Sequence, residues 1–395
     1  MIKNRFLTIF VCVFAAVALV FGGTLGLVVG IRNSRAVVSY ENVRVDAGAL
    51  RYFSAYYKIN FIRALGASGV KAYDTEEFWN TSDGTGVTYK ELFADSFEEY
   101  IRALVASVNV FNTYSSYTKA DKASVRATVE EILDYKAGGS EKEFNSISSK
   151  YGFDYDDFCA AAELMYKAGK AKSVIYGNDG EGLVYYPDEC AKYLDTYSHV
   201  SLLFVRTEEV FQTDEDGNII YGDDGSALTR EMTAEEKAER QNVIDTLTAA
   251  IEAKNNGGDY QITPEMFEIY LEKSDGDSDM HGKGYYFNKN AAATAEFATE
   301  FPEVVECALG MELYGYAKVD CSIGVCFIYR YDAVKGAYSD SDNPFFSDFY
   351  SDAANYLYED VLVTLSPEVK VKDKFFDVDY SSVPLLSEFV ISQWN

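Results

Sequence analysis

The chain has 395 residues, 48% of them hydrophobic, and carries 63 acidic against 35 basic side chains for a net charge of −28. That length accommodates two domains of ordinary size, and that hydrophobic content belongs to a globular chain rather than a disordered one. The charge repels nucleic acid and anionic membrane surfaces and favours solubility, or basic and unfolded clients. Six cysteines are too few for a disulfide scaffold of this size, and two histidines without a C-x-x-C pair leave no basis for a zinc site.

In chain order the first signal is an uncharged apolar run from Phe6 to Ile31. It exceeds the roughly 20 residues that span a bilayer and is too long for the core of an ordinary signal peptide. No small-residue cleavage site closes it, and its cysteine, Cys12, lies inside the run rather than after it. Residues 1–35 therefore read as an uncleaved signal anchor. Lys3 and Arg5 before the span, and a large acidic domain after it, place the N-terminus inside and the bulk of the chain outside. Gly22, Gly26 and Gly30 recur every four residues in the span. The spacing fits either a homodimer contact between close helices or the ordinary glycine content of such a segment.

Residues 46–66 have apolar and aromatic residues at helical spacing. Thr88 and Glu91 form a capping box, and Phe93, Phe97, Ile101, Leu104, Val108 and Phe111 make one stripe on the helix it opens. Ser140 and Glu143 repeat the device, helical pattern continues over 156–175, and Pro187 fits a helix's first turn. Residues 199–206 then alternate as a strand. Two turn signals in 214–225 surround Ile219–Tyr221 and predict an acidic hairpin; Ile219 and Gly225 at the sixth and twelfth positions exclude a calcium-binding EF-hand. A helix follows from Thr233 to about Asn255, then a short helix near 264–272, a loop over 274–284, an extended YYF at 285–287, and a helix over 301–309. Two strands flank Ser322–Gly324, bringing Cys321 and Cys326 to either side of a turn; whether they bond is left open. A last helix runs from Phe345 to about Leu365, and short extended pieces follow Pro367.

The order LLFVR, a charged helix, GGDY, a Ser-Asp loop, GKGYYF, FPEVVECALGM and CSIGVCFIYR resembles the parvulin-type peptidyl-prolyl isomerase domain. The helical parts on both sides resemble the chaperone portion of exported foldases such as SurA and PrsA. The resemblance implies an α+β chain: an N-terminal transmembrane helix (1–35), a helical chaperone domain built from both chain ends (36–196 and 333–395), and an inserted parvulin-like domain (197–332). That domain is expected to hold a small antiparallel sheet with surrounding helices.

In that family two histidines face each other on adjacent central strands. A Cys or Asp sits in the loop, and Leu, Met and Phe line a pocket for proline. The second histidine's position is occupied here by Cys326. For the first, two registers compete: His199, followed by Val200-Ser201-Leu202, or Ser201, followed by the better apolar match Leu202-Leu203-Phe204. The second register has Ser201 and Cys326 facing one another. The loop acid corresponds to Asp275 or Asp277, and the pocket residues implied are Leu203, Phe287 and Phe301, with Phe297 as the other candidate for the pocket phenylalanine. The usual methionine is missing from Asn290–Thr294. His281 reads as a solvent-exposed loop residue. Asp275, Asp277 and Asp279 alternate like calcium ligands, but Met280 stands where such a loop needs glycine, so neither metal nor cofactor is expected.

The resemblance implies a membrane-anchored, extracytoplasmic foldase whose partners are unfolded or partly folded exported polypeptides. Replacement of both histidines implies weak or lost isomerase activity. An active isomerase and a non-catalytic envelope scaffold are the alternatives.

Overall fold

The computed structural model describes residues 36–65, 73–82, 84–215, 218–222, 225–340, 342–386 and 389–391. The apolar run with Gly22, Gly26, Gly30 and Cys12 lies outside them. Among the described residues no helix is long and apolar enough to cross a membrane. The architecture is a helix-rich α+β arrangement with small antiparallel sheets, in two compact units of the described residues: 36–177 with 358–391, and 178–357.

The first unit opens with β1 (Val38–Tyr40) and β2 (Val43–Val45), followed by α1 (Ala47–Ala64), α2 (Glu76–Asn80), α3 (Tyr89–Tyr114), α4 (Lys119–Ala137), α5 (Glu141–Ser148) and α6 (Tyr155–Tyr176). The second holds α7 (Pro187–Leu194), β3 (Ser198–Arg206), β4 (Glu209–Phe211), β5 (Thr229–Glu231), α8 (Ala234–Asn256) and α9 (Pro264–Leu271). It continues with β6 (Tyr285–Phe287), α10 (Ala292–Glu300), α11 (Pro302–Gly310), β7 (Tyr316–Cys321) and β8 (Gly324–Tyr331). The chain then enters α12 (Phe349–Leu365) and returns to the first unit, where β9 (Lys370–Val371) pairs with β1.

Helix α3 shows why these residues fold as they do. The Thr88 side chain accepts from the Glu91 amide while the Glu91 carboxylate accepts from Thr88, satisfying amide groups that have no partner within the helix. Phe93, Phe97, Ile101, Leu104, Val108 and Phe111 are all buried, as their spacing predicts. Each ring removed from water contributes about 1.5–3 kcal/mol. Phe97 stacks on Phe375 at 5.9 Å, so the C-terminal segment closes the same core.

A buried lysine fastens that segment. Lys58 is 1% exposed, and its Nζ donates to Asp74 at 2.7 Å and to the carbonyls of Ser381 and Val383 at 2.6 Å each. Asp74 also accepts from Trp79 Nε1 and the Leu385 amide. All three ammonium protons thus have acceptors, which is the condition under which a buried charge is tolerated.

In the second unit the central sheet has the order β6-β3-β8-β7, antiparallel throughout. Helices α8 and α9 pack one face through Val243, Leu247 and Phe267 against Leu203, Val205, Val325 and Phe327. The acidic insert differs from a simple hairpin around Ile219–Tyr221. Its ladder joins β4 to β5, and the middle of the insert bridges both, Thr213 with Ile219 and Tyr221 with Ala227. The two turns are therefore inner corners of a three-pass fold.

Candidate active-site cleft

The β3–β8 register decides which side chains share a face. Phe204 lies opposite Cys326, Leu202 opposite Ile328, Ser201 opposite Tyr329 and His199 opposite Tyr331. Since side chains alternate along a strand, Leu202, Phe204 and Cys326 occupy one face, and His199, Ser201 and Leu203 the other. The first face is hollowed by a cleft of about 310 Å³. Phe204, Met280, Tyr285, Phe297, Phe301 and Phe345 line it, and Arg206, Asp275 and Asp277 also border it. Phe301 lies 4.9 Å from Phe204 and 5.4 Å from Phe297, and Tyr285 meets Phe297 edge-on at 5.5 Å.

The loop before β6 completes the cleft because β6 is short. β6 pairs only with Ser198–Val200. Further along β3 the free edge is taken by loop 274–276. Ser274 Oγ accepts from the Phe204 amide at 3.0 Å, and the Asp275 amide donates to the Phe204 carbonyl at 2.8 Å. The Asp275 carboxylate accepts from the Arg206 amide and, at 2.8 Å, from the Arg240 guanidinium. The loop approaches so closely that a Cβ on Gly276 would meet the Phe204 ring at 3.0 Å. Burial pushes the Asp275 carboxyl up, while the Arg206 amide and Arg240 oppose the shift. Its hydrogen bonds are spent on holding the loop. Asp277 accepts from the Asp279 amide.

Of the residues named from the sequence, Asp275, Asp277, Phe297 and Phe301 come together at this cleft. Phe287 is fully buried behind it, 5.1 Å from Phe297. Cys326 shares the cleft's face but is 0% exposed; its thiol lies 3.7 Å from the Phe327 carbonyl, and burial pushes it well above the ordinary range. It is a neutral, inert group. The expectation that Ser201 and Cys326 face one another does not fit this register, which separates them by an odd number of positions and so by the thickness of the sheet. Leu203 points into the α8–α9 core. His281 does not line the cleft.

His199 belongs to a different structure. It stacks on Tyr286 at 3.9 Å and leans against Tyr331 at 3.8 Å. Its Nδ1 meets the Asp332 carbonyl at 2.8 Å and its Nε2 the Lys283 carbonyl at 3.0 Å. Burial holds its pKa below the ordinary value despite both carbonyls. It pins two chain crossings and has no route to the cleft.

The cleft residues that sequence reasoning missed are Phe204, Arg206, Met280, Tyr285 and Phe345. Alternation does give Tyr285 the same face as Phe287. Nothing local announces that Phe345 folds back beside Phe297. Among the described residues no cluster of three or more His, Cys, Asp or Glu side chains is placed to hold a metal ion.

No family model matches the chain, and no curated protein matches it either. Solved structures similar to it include PrsA from Bacillus subtilis, at 13% identity over 78% of this chain and 98% of that one, with a TM-score of 0.19. PrsA from Bacillus cereus, described as a peptidylprolyl isomerase, is 15% identical over 77% and 96% of the two chains, with a TM-score of 0.22. The foldase protein PrsA from Lactococcus lactis is 12% identical over 76% and 97%, with a TM-score of 0.18. At these identities and scores the likenesses carry no argument about activity.

Proposed function

We propose that this protein is a membrane-anchored, extracytoplasmic foldase of the parvulin type, whose prolyl-binding cleft persists while its isomerase activity is weak or lost. The observation that carries the reading is the composition of the cleft. It is a wall of aromatic rings of a size to grip a proline side chain, with no exposed thiol or imidazole inside it. Rotation about an X-Pro bond meets a barrier of about 18–20 kcal/mol, and catalysis requires the twisted amide to be held more tightly than the planar one. A ring-lined cleft binds both. Two facing family positions must share a sheet face, and the residue on β3 that shares Cys326's face near its partner Phe204 is Leu202. A Leu202–Cys326 pair offers the twisted amide neither charge nor a strong hydrogen bond.

Clients would be unfolded or partly folded exported polypeptides, with residues 1–35 as the anchor. The test is an exchange NMR measurement on an alanyl-prolyl peptide with the full chain. The expected result is saturable binding with cis–trans exchange only slightly faster than in free peptide. Exchange as fast as an active parvulin gives, or no binding, overturns it. Protease added to intact cells should digest residues beyond about 40 if the anchor reading is right.

A further inference from the structure

Arg206 brings a cation to the border of the aromatic cleft, and the chain supplies no acid for it. It closes β3 two positions beyond Phe204 and, by strand alternation, on the same face. Its guanidinium lies over the Phe211 ring of β4 at 4.2 Å. Among the described residues its buried Nε has no hydrogen-bond partner and no carboxylate is ion-paired with the guanidinium.

The acids that border the same cleft are committed elsewhere. The Asp275 carboxylate accepts from the Arg206 backbone amide at 2.9 Å and from the Arg240 guanidinium at 2.8 Å. Asp277 accepts from the Asp279 amide at 2.9 Å and caps the turn that follows it. Stacking on Phe211 covers one face of the Arg206 guanidinium, whereas its N–H donors lie in the plane and point from its edge. A planar carboxylate fits such a fork with two parallel hydrogen bonds, each strengthened by charge. At roughly 3.3 Å per residue, Phe204 and Arg206 stand about 7 Å apart along the strand. A proline held by the Phe204 and Phe301 rings thus has its neighbouring residue within reach of Arg206. A doubly charged phosphate fits less well, because Asp275 and Asp277 border the same space.

We propose that Arg206 is a specificity subsite of the cleft, taking the side-chain carboxylate of a glutamate or aspartate next to a client's proline. This role rests on the cleft taking proline. It also opposes the field of the whole molecule. A net charge of −28 repels an acidic peptide, so a preference for one requires a local cation.

The test is calorimetric titration of the full chain with Ala-Ala-Glu-Pro-Ala-Ala and Ala-Ala-Pro-Glu-Ala-Ala, each with a twin carrying Gln and another carrying phosphoserine in place of Glu. The tighter of the two Glu peptides should bind about fivefold more strongly than its Gln twin. Arg206→Met should abolish that ratio and Arg206→Lys should keep part of it, with thermal melts checking that each variant folds. Phe297→Ala should weaken the Glu and Gln peptides by the same factor and leave the ratio in place. Equal binding of the twins by the native chain would overturn the subsite while leaving the cleft reading intact. So would a ratio that survives in folded Arg206→Met. A phosphoserine peptide that binds more tightly than the Glu peptide would overturn the carboxylate assignment. No binding of any peptide would overturn the cleft reading and the subsite with it.

Discussion

Phe204 sits directly opposite Cys326 in the β3–β8 ladder, and that pairing places the cysteine under the cleft while turning Ser201 and His199 to the other face. A thiol there is shut off from solvent. Four expectations follow from this geometry and from the two buried bases, Lys58 and His199.

Cys326 is inert in the native protein. Iodoacetamide at neutral pH should leave it unmodified in the folded chain, while the half-buried Cys307 and Cys321 react slowly and all become reactive in denaturant. Peptide mass mapping reads the result. Rapid native alkylation of Cys326 would contradict the buried placement.

The aromatic wall rather than the loop acid holds a bound proline. Phe297→Ala should weaken proline-peptide affinity by about tenfold, the equivalent of one lost ring contact near 1.4 kcal/mol. Asp275→Asn should act differently. It leaves the wall in place but loosens loop 274–276, because Arg240 then faces a neutral partner, so it should lower stability more than affinity. Calorimetric titration and urea melts separate the two.

His199 makes stability pH-dependent in a defined direction. Its folded pKa lies below the ordinary value of about 6.5, so the unfolded chain binds more protons as the pH falls through that value. Its contribution is therefore fully present above the unfolded pKa and is lost as pH drops toward the folded one. The urea midpoint should fall more between pH 7.5 and 5.5 in the native chain than in His199→Gln. An equal fall in both would show that other groups carry it. Gly284→Ala, at a φ of +70°, should also lower the urea midpoint, because the added Cβ would press on the Tyr331 hydroxyl and the His199 ring.

Lys58 holds the C-terminal segment in the first unit's core. Burial lowers its pKa, with Asp74 opposing that shift. Lys58→Met removes the ammonium but strands Asp74 and two carbonyls, and should cost about 3 kcal/mol or more. Lys58→Met with Asp74→Leu should recover part of the loss. Guanidinium melts of the two variants decide, and a single variant as stable as the native chain would remove the latch role.

The elements along the chain were legible because their signals are local. The Thr88–Glu91 box and the Phe93–Phe111 stripe act within one helix, and the alternation of 199–206 acts within one strand. Phe297 and Phe301 were within reach because the motif around FPEVVECALGM marks one short stretch of chain. Register was not. Whether Ser201 or Leu202 shares a face with Cys326 depends on a ladder between segments more than a hundred residues apart, and a slip of one residue exchanges the faces completely. The return of Phe345 to the cleft and the capture of Ser381 and Val383 by Lys58 are likewise long-range events. Sequence by itself determined which residues could form helices and strands and which lie near a site, since propensity, caps and periodicity are properties of neighbours. Tertiary structure alone decided which of those residues meet, because pairing register and packing are settled by the whole chain at once.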